Sequence, residues 1–246
     1  MKKRYLLSVF SLLFFTFSNA QEYGFGIRGG INTYSIGNII TVGSNGPQGP
    51  PAGLTFEPVK DIGYQFGGYF FVKFGKFYIR PELNYVSSQN HYDFPTKTSQ
   101  WKTSKIDVPV LFVYDVFEPI SVYVGPGFNF FGDTTLDGVQ ETSFTTGTPG
   151  PDLKKSTFNV NIGIMFRYKR LGVDLRYEMG QGKTDLERED FIRSEYGVNL
   201  ADLRSYQPNV LSLSIFFDII RTDGDDIGSF FGDLFKGNSC HCPYTK

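Results

Sequence analysis

The sequence lacks any long apolar run after residue 20. No later segment reaches about 18 uninterrupted apolar residues, the length that marks a membrane-spanning helix. The mean hydropathy of the whole chain is −0.20. A helical membrane protein is therefore excluded. A membrane β-barrel is not excluded, because its lipid-facing and lumen-facing residues alternate and cancel in any averaging window.

Cysteine and histidine are also scarce, with two of each in 246 residues. Both cysteines lie in the segment Cys240-His241-Cys242 near the C-terminus. A structural zinc site needs four ligands at suitable spacing, and this segment offers three at most. The sequence therefore predicts no metal and no cofactor. The thiols are available for a strained disulfide or for a mixed disulfide with a partner.

The other histidine does not complete a catalytic set. His91 follows Ser87 by four residues on a predicted strand, which separates them by roughly 13 Å of extended chain. A hydroxyl nucleophile must lie within hydrogen-bond reach of its base, so the two residues do not pair as a Ser/His couple. We expect no enzymatic activity, with a lipid A-modifying barrel enzyme as the alternative.

An excess of positive charge is missing as well. Residues 1–20 have the basic start, apolar core and small-residue end of a secretory signal peptide, with cleavage expected before Gln21. Without this leader, 21 Lys and Arg face 25 Asp and Glu. Nucleic-acid binding calls for a strongly basic face, so we expect no nucleic-acid partner.

What the sequence does contain is a period-two alternation of apolar and polar residues in eight stretches. Their connectors include tight turns and long loops in the order expected of antiparallel strands with turns on one rim and loops on the other. Residues 21–220 are therefore predicted to form an all-β fold, an eight-stranded antiparallel transmembrane β-barrel of the outer-membrane type. The predicted strands are 22–36, 62–75, 76–94, 101–116, 119–133, 156–169, 171–184 and 207–220.

The alternation fits two kinds of barrel. A soluble, lipocalin-like barrel buries the apolar face, whereas a membrane barrel turns it to lipid. The membrane barrel is favoured because the long connectors fall on one rim and because aromatic residues lie near strand ends, where girdles occur. These predicted girdle residues are Tyr64, Tyr92, Trp101, Tyr168 and Tyr206.

The polar face of the strands carries charges of both signs. Eight strands enclose a lumen only wide enough for side chains, and isolated charges there would be costly. Interleaved opposite charges can pair, so we interpret the set as a structural salt-bridged plug, with an ion pathway as the alternative. The predicted network is Arg28, Arg80, Glu82, Asp107, Arg167, Asp174, Arg176, Glu178 and Asp218.

Prolines and loops complete the predicted barrel. Three prolines, at positions 81, 109 and 126, fall inside strands, and we predict β-bulges there because a closed barrel has no free edge. Loops 43–53 and 134–155 are predicted to be flexible and exposed. In the last long loop, Thr184 could cap a helix with Glu187 at the capping-box position and Gly197 at its end. We therefore predict a helical flap over the mouth, followed by a short turn.

The tail, residues 221–246, has the best helical pattern of the chain. Its apolar residues recur at spacings of three and four, with polar residues between them. An even number of strands returns the chain to its starting side, so this helix is predicted to be periplasmic. It would contact the membrane interface or dock on a protein partner. The apolar residues are Ile227, Phe230, Phe231, Leu234 and Phe235.

Four strand motifs resemble a known family. They are Gly26-Ile-Arg-Gly-Gly-Ile-Asn32, Ile79-Arg-Pro-Glu-Leu-Asn-Tyr85, Ile106-Asp-Val-Pro-Val-Leu111 and Tyr123-Val-Gly-Pro-Gly127. Together they are similar to the PorT-like outer-membrane β-barrel proteins of Bacteroidota, over about residues 21–220. The resemblance implies a barrel with a proline in its fourth strand. Some members of that family are associated with protein secretion across the outer membrane.

These observations predict a non-enzymatic protein in the outer membrane of a Gram-negative bacterium, with extracellular loops and a periplasmic C-terminus. Its expected role is that of a structural or accessory subunit of an outer-membrane complex, such as one for protein secretion or assembly. The expected partners are outer-membrane lipids and outer-membrane or periplasmic proteins, and the sequence identifies no small-molecule substrate. A small-solute channel is the alternative.

Overall fold

The computed structural model describes residues 22–43, 51–142, 145, 150–151 and 153–222. The predicted leader, the apolar helix of the tail and the Cys-His-Cys segment lie outside these residues, as does most of the loop 43–53. The described chain is almost entirely β-strand. None of its helices is long and apolar enough to cross a membrane.

Fourteen strands and one short helix make up the described fold. In chain order they are β1 (Glu22–Tyr34), β2 (Ile39–Thr41), β3 (Thr55–Phe56), β4 (Val59–Lys60), β5 (Gly63–Phe74), β6 (Phe77–Asp93), β7 (Thr98–Phe117), β8 (Ile120–Leu136), β9 (Val139–Gln140), β10 (Ser156–Tyr168), β11 (Leu171–Gly180), β12 (Glu187–Phe191), α1 (Arg193–Tyr196), β13 (Leu200–Leu203) and β14 (Asn209–Arg221).

The eight long strands close into a barrel. Each pairs antiparallel with its neighbours in the order β1, β5, β6, β7, β8, β10, β11 and β14, and β14 pairs back with β1. The predicted eight-stranded antiparallel barrel is thereby confirmed. One rim carries the tight turns together with Glu22 and Arg221, and we call it the turn end. The opposite rim is the loop end.

The strands reverse their polarity along their length. Near the turn end of β6, Phe77 and Leu83 are exposed on the outer face while Arg80 is fully buried inside. Near the loop end, the inward residues Tyr92 and Trp101 are completely buried. The outward residues there are polar. A wall facing hydrocarbon needs apolar residues outside, and a wall facing water needs them inside. The barrel therefore extends beyond the apolar belt at its loop end.

This reversal corrects the predicted aromatic girdle. Tyr64 and Tyr168 do lie on the outer face, with 55% and 63% of their surface exposed. Tyr92, Trp101 and Tyr206 instead point inward and are buried. The prediction was wrong for Tyr92 and Trp101 because residue parity along the strand, and not proximity to a strand end, determines which face a side chain occupies. It was wrong for Tyr206 because this residue precedes β14 and packs in the buried cluster at the loop end.

The loop 134–155, predicted to be flexible and exposed, instead contains β9, which belongs to a second sheet that closes the loop end. The strands of this sheet lie in the order β3, β2, β13, β12 and β9, and we call it the cap sheet. It covers a cluster of buried aromatic and aliphatic side chains, the cap core. In this core Tyr34 stacks on Trp101 with ring centroids 5.1 Å apart, and Phe94 meets Phe191 edge-on at 5.0 Å.

The predicted helical flap instead contains two strands of the cap sheet, β12 and β13, and β13 replaces the short turn predicted to follow the helix. Glu187 begins β12, and the Thr184 hydroxyl accepts the backbone N–H of Tyr206 at 3.0 Å instead of capping a helix. Only the four residues of α1 are helical, and Gly197 does end them in a left-handed conformation with φ of 73°. Pairing of β12 with two neighbours and burial of Phe191 outweigh the local capping signals.

The strand prolines do not form the predicted bulges. On β6, Pro81 stands opposite Val110, and the register of β6 with β7 is unchanged at Asn84 beyond it. Pro109 and Pro126 are likewise passed without a register shift. A proline removes one N–H, which in an antiparallel sheet serves a single neighbouring strand. Pairing is therefore interrupted locally while the register continues.

The cap sheet should respond to pH through Glu189. Burial, followed by the nearby Glu187 carboxylate, raises the pKa of Glu189 to about 7, although the Gly150 N–H opposes the shift. The protonated carboxyl therefore adds stability that is complete below the ordinary pKa of 4.5 and lost as pH rises through about 7. Hydrogen exchange of the β12 and β13 amides, corrected for intrinsic rates, should lose roughly tenfold or more protection between pH 4.5 and 8.

The Glu189→Gln variant should keep its protection across that pH range. Glu195→Gln is the matched control, because Glu195 lies on α1 with its side chain 52% exposed. It should retain the wild-type pH dependence. Equal pH profiles for Glu189→Gln and the wild-type protein would contradict the assignment.

Candidate functional site

All nine residues of the predicted charge network lie inside the barrel. Eight of them are buried, and the Arg167 side chain, nearest the turn end, is 13% exposed. Alternating strand residues from β1, β6, β7, β10, β11 and β14 place them there, because every second side chain points into the lumen. They fall into three layers along the barrel axis, each with its own set of contacts.

The middle layer is centred on Glu82. Its carboxylate oxygens lie 2.6 Å from Arg28 Nη1, 2.8 Å from Arg80 Nε and 2.9 Å from Arg176 Nη1. The Asn84 amide donates a further hydrogen bond at 3.0 Å. One carboxylate from β6 thus joins guanidinium groups from three strands. Charge-assisted contacts of this length are the strong ones in protein interiors.

A second carboxylate completes the middle layer. Asp174 Oδ2 lies 3.0 Å from both Arg28 Nη2 and Arg176 Nη2, and the Tyr123 hydroxyl donates to Oδ1 at 2.5 Å. Arg28 also donates to the Ser214 hydroxyl at 2.9 Å. Arg28 and Arg176 are therefore shared between two acids, which fixes the spacing of their strands.

Arg80 is stabilised partly by aromatic rings. Its guanidinium carbon lies 3.7 Å from the centroid of the Tyr69 ring and 4.7 Å from that of Phe216. Its Nη1 donates to the Met165 sulfur at 2.8 Å. The negative faces of aromatic rings attract a desolvated cation. The rings thus complement Glu82, which already serves two other arginines.

The layer toward the loop end is centred on Glu178. Lys105 forms an ion pair with its Oε1, and the same oxygen accepts from Asn129 at 2.8 Å and from Asn159 at 3.0 Å. Asn159 also donates to Asp107 Oδ1 at 3.0 Å. The Asn159 amide thus bridges two carboxylates that would otherwise repel each other in a small volume.

The layer toward the turn end is centred on Asp218. Its Oδ1 accepts from the Tyr69 hydroxyl at 2.5 Å. Its Oδ2 faces Arg221 Nη1 at 3.6 Å and Arg167 Nη1 at 3.9 Å, distances longer than those of the middle layer. Arg170 donates to the backbone carbonyl of Asp218 at 3.1 Å. This layer is the most loosely paired of the three.

The network also contains tyrosines that sequence analysis missed. Tyr69 and Tyr123 lie on inward positions, and each reaches over one neighbouring strand to an acid on the strand beyond it. Each stands directly opposite a glycine on the neighbouring strand, Gly26 and Gly163 respectively. A Cβ on either glycine would lie 2.3 or 2.2 Å from the tyrosine side chain. A glycine opposite a tyrosine is a sequence signal that could have identified both.

The lumen as a whole is electrically balanced. Among the described strand residues, the lumen cations are Arg28, Arg80, Lys105, Arg167 and Arg176, and the lumen carboxylates are Glu82, Asp107, Asp174, Glu178 and Asp218. These side chains fill the interior and contact one another from opposite walls. The arrangement is that of an interior cross-linked by charges of both signs.

The polar residues considered for catalysis lie outside the lumen. His91 is on the outer face of β6, and its Nδ1 lies 2.8 Å from Asp61 Oδ2. Ser87 points outward on the same strand. Within the described residues, no group of three or more His, Cys, Asp or Glu side chains could hold a metal ion.

Replacing Glu82 should destabilise the barrel strongly. The Glu82→Gln variant leaves three buried guanidinium groups without their shared charge, and breaking a buried ion pair from one side costs about 3–5 kcal/mol. Urea unfolding in detergent micelles would measure the loss. Glu118→Gln, in an exposed turn, is the control and should change the free energy of unfolding by less than about 0.5 kcal/mol. Equal stability of the two variants would contradict the central role of Glu82.

Several solved structures of outer-membrane proteins are similar to this chain at low identity. OprG from Pseudomonas aeruginosa is 14% identical, with a TM-score of 0.46, over 82% of this chain and 97% of that one. Neisserial surface protein A is 12% identical, with a TM-score of 0.42, over 80% and 99%. Ail from Yersinia pestis, in complex with the heparin analogue sucrose octasulfate, is 11% identical, with a TM-score of 0.36, over 80% and 98%.

A family model gives the assignment. No curated protein matches the sequence. The model of the outer membrane protein beta-barrel domain matches residues 19–185, which is more than half of the chain and covers the first seven barrel strands. With the closed antiparallel barrel and its apolar outer belt, the chain belongs to the outer membrane protein beta-barrel domain family.

Proposed function

We propose that this protein is a non-enzymatic, non-conducting barrel that serves as a structural or accessory subunit in the outer membrane. The observation that carries the proposal is the filled and charge-balanced lumen centred on Glu82. A channel gains from a wide passage lined by groups that ions can enter and leave. Here the groups in the lumen bind each other, so their contribution is to rigidity.

The same proposal assigns the two ends of the barrel. The loop end faces the outside of the cell and the turn end faces the periplasm, as in barrels with short periplasmic turns and longer extracellular loops. The polarity reversal along β6 and β7 supports this orientation, because the loop end has a water-facing wall and a cap sheet. A folded surface presented beyond the membrane suits contact with a partner.

The resemblance to PorT-like proteins of Bacteroidota gives the role its context. That family includes proteins associated with secretion across the outer membrane. The proposed partners are outer-membrane lipids and protein subunits reached through the cap sheet or the turn end. A rigid barrel that positions two folded surfaces on opposite sides of a membrane suits an accessory subunit.

Planar-bilayer recordings test the non-conducting lumen. The refolded wild-type protein should give no current steps above those of the lipid alone. A double variant, Glu82→Ala with Arg176→Ala, removes the central ion pair from the lumen. Current steps from this variant would show that the assay detects an inserted barrel. Heat-dependent mobility on gels verifies that both proteins are folded. Reproducible current steps from the wild-type protein would contradict the proposal and favour a small-solute channel.

Labelling of intact cells tests the orientation. In a background with Cys240 and Cys242 replaced by serine, Lys97→Cys at the loop end should react with a membrane-impermeant maleimide. Lys76→Cys, exposed in a tight turn, should react only after the outer membrane is permeabilised. The reverse pattern would show that the ends have been assigned incorrectly.

A further inference from the structure

The outer wall of the barrel carries a groove of about 760 Å³ within the apolar belt. It crosses β6, β7, β8, β10, β11 and β14. Tyrosine hydroxyls are the only polar side-chain groups among the described residues that line it. The apolar belt of a membrane barrel faces hydrocarbon, so the occupant of this groove is apolar.

The groove lies between two adjacent rows of outward side chains. Val122 and Ile164 stand opposite each other in one row, and Val124 and Ile162 stand opposite each other in the next. The residues between the rows, such as Tyr123, point inward, so the floor is mainly backbone. Positions i and i+2 of a strand lie about 7 Å apart. This spacing is less than the roughly 10 Å diameter of an α-helix, so the groove is too narrow for a transmembrane helix and suits a single hydrocarbon chain.

The groove climbs from the turn end toward the loop end. It begins at Phe77, the first residue of β6, and ends at Leu211, the third residue of β14. Because barrel strands are tilted by about 40°, a groove across them runs obliquely through the bilayer. Its length over the spacings between six strands is about 24 Å, which exceeds half of the roughly 30 Å hydrocarbon core. An extended acyl chain that enters at the turn end can therefore follow the groove.

A cation stands at the turn-end mouth of the groove. Lys76 is exposed in the turn between β5 and β6 and directly precedes Phe77. Its backbone carbonyl accepts the N–H of Asp115 at 2.8 Å. The Asp115 carboxylate is engaged by Lys73, and Lys76 forms no ion pair with any described residue. A lysine at the edge of an apolar belt extends its ammonium to the headgroup layer, where lipid phosphates lie.

We propose that the groove and Lys76 form a binding site for a phospholipid of the periplasmic leaflet. One acyl chain lies in the groove, and the lipid phosphate accepts a hydrogen bond from the Lys76 ammonium. The groove supplies dispersion contacts along the chain, and the lysine supplies the charge that the phosphate complements. The site therefore retains one lipid at a fixed place on the barrel wall.

The inference deepens the proposed function, which includes outer-membrane lipids as partners, and it rests on that function for the choice of leaflet. Retention of a lipid by the purified protein depends on neither orientation nor conductance. A failed retention experiment would leave the bilayer and labelling results unaffected. Failure of either of those would leave the lipid site in place and change only its leaflet or its context.

Native mass spectrometry of the refolded full-length protein in detergent tests the headgroup contact. The probes are palmitoyl-oleoyl phosphatidylglycerol and the diacylglycerol with the same two chains, which lacks the phosphate. The wild-type protein should retain one phosphatidylglycerol molecule and bind the diacylglycerol roughly fivefold more weakly, because the diacylglycerol offers no partner to Lys76. Lys76→Gln should bind the two probes equally. Equal binding of both probes by the wild-type protein would overturn the proposal.

Filling the groove tests the contact with the acyl chain. Val124→Trp should weaken phosphatidylglycerol binding roughly tenfold, because the indole occupies the space of the chain. Val173→Trp is the matched control, because Val173 is an outward valine of the same belt, 42% exposed against 51% for Val124, and lies outside the groove. It should bind like the wild-type protein.

Equal affinities of the two tryptophan variants would contradict the site. A dimer in the spectra that Val124→Trp abolishes would also overturn the proposal, because it would assign the groove to a second copy of the chain. Both substitutions face lipid and leave the lumen unchanged. The comparison of the two probes on the wild-type protein remains decisive even if a variant does not fold.

Discussion

The pairing of charges inside a narrow tube is the constraint on which this structure depends. A charge removed from water must find partners, and in an eight-stranded barrel these are the other side chains that point into the lumen. Glu82 meets this requirement with guanidinium groups from β1, β6 and β11, so strands far apart in sequence are tied at one point. Aromatic rings and amides complete the layers above and below. The same contacts fill the interior and hold the wall in one arrangement.

The cap at the loop end is stabilised by burial of apolar side chains and not by charge pairing. Beyond the apolar belt the wall faces water on its outside, so apolar side chains turn inward and meet the cap sheet. Tyr34, Trp101 and Phe191 then form a core like that of a water-soluble domain. The same continuous strands thereby enclose a charged interior within the apolar belt and an aromatic interior beyond it, at the loop end.

Much of the barrel could be predicted from period-two alternation, because side-chain direction on a strand follows parity alone. The same rule identified the lumen charges such as Arg80 and Asp174. It did not identify Tyr123, whose place depends on a glycine across the strand pair, or the strand character of Glu187–Phe191, which depends on neighbours distant in sequence. Prolines were misjudged for a similar reason. Whether a missing N–H shifts the register depends on the whole sheet, and here the register continues past Pro81.

The polarity reversal along β6 also fixes how deeply the barrel sits in the bilayer. A strand with uniform alternation could slide along the membrane normal with little penalty until it ran out of apolar residues. Here, raising the barrel would expose Leu83 to water, and lowering it would drive the polar stretch around His91 into hydrocarbon. The residue pattern of β6 alone therefore determines the immersion depth. The height of the cap sheet above the lipid headgroups is thus fixed by the barrel itself and does not require a protein partner.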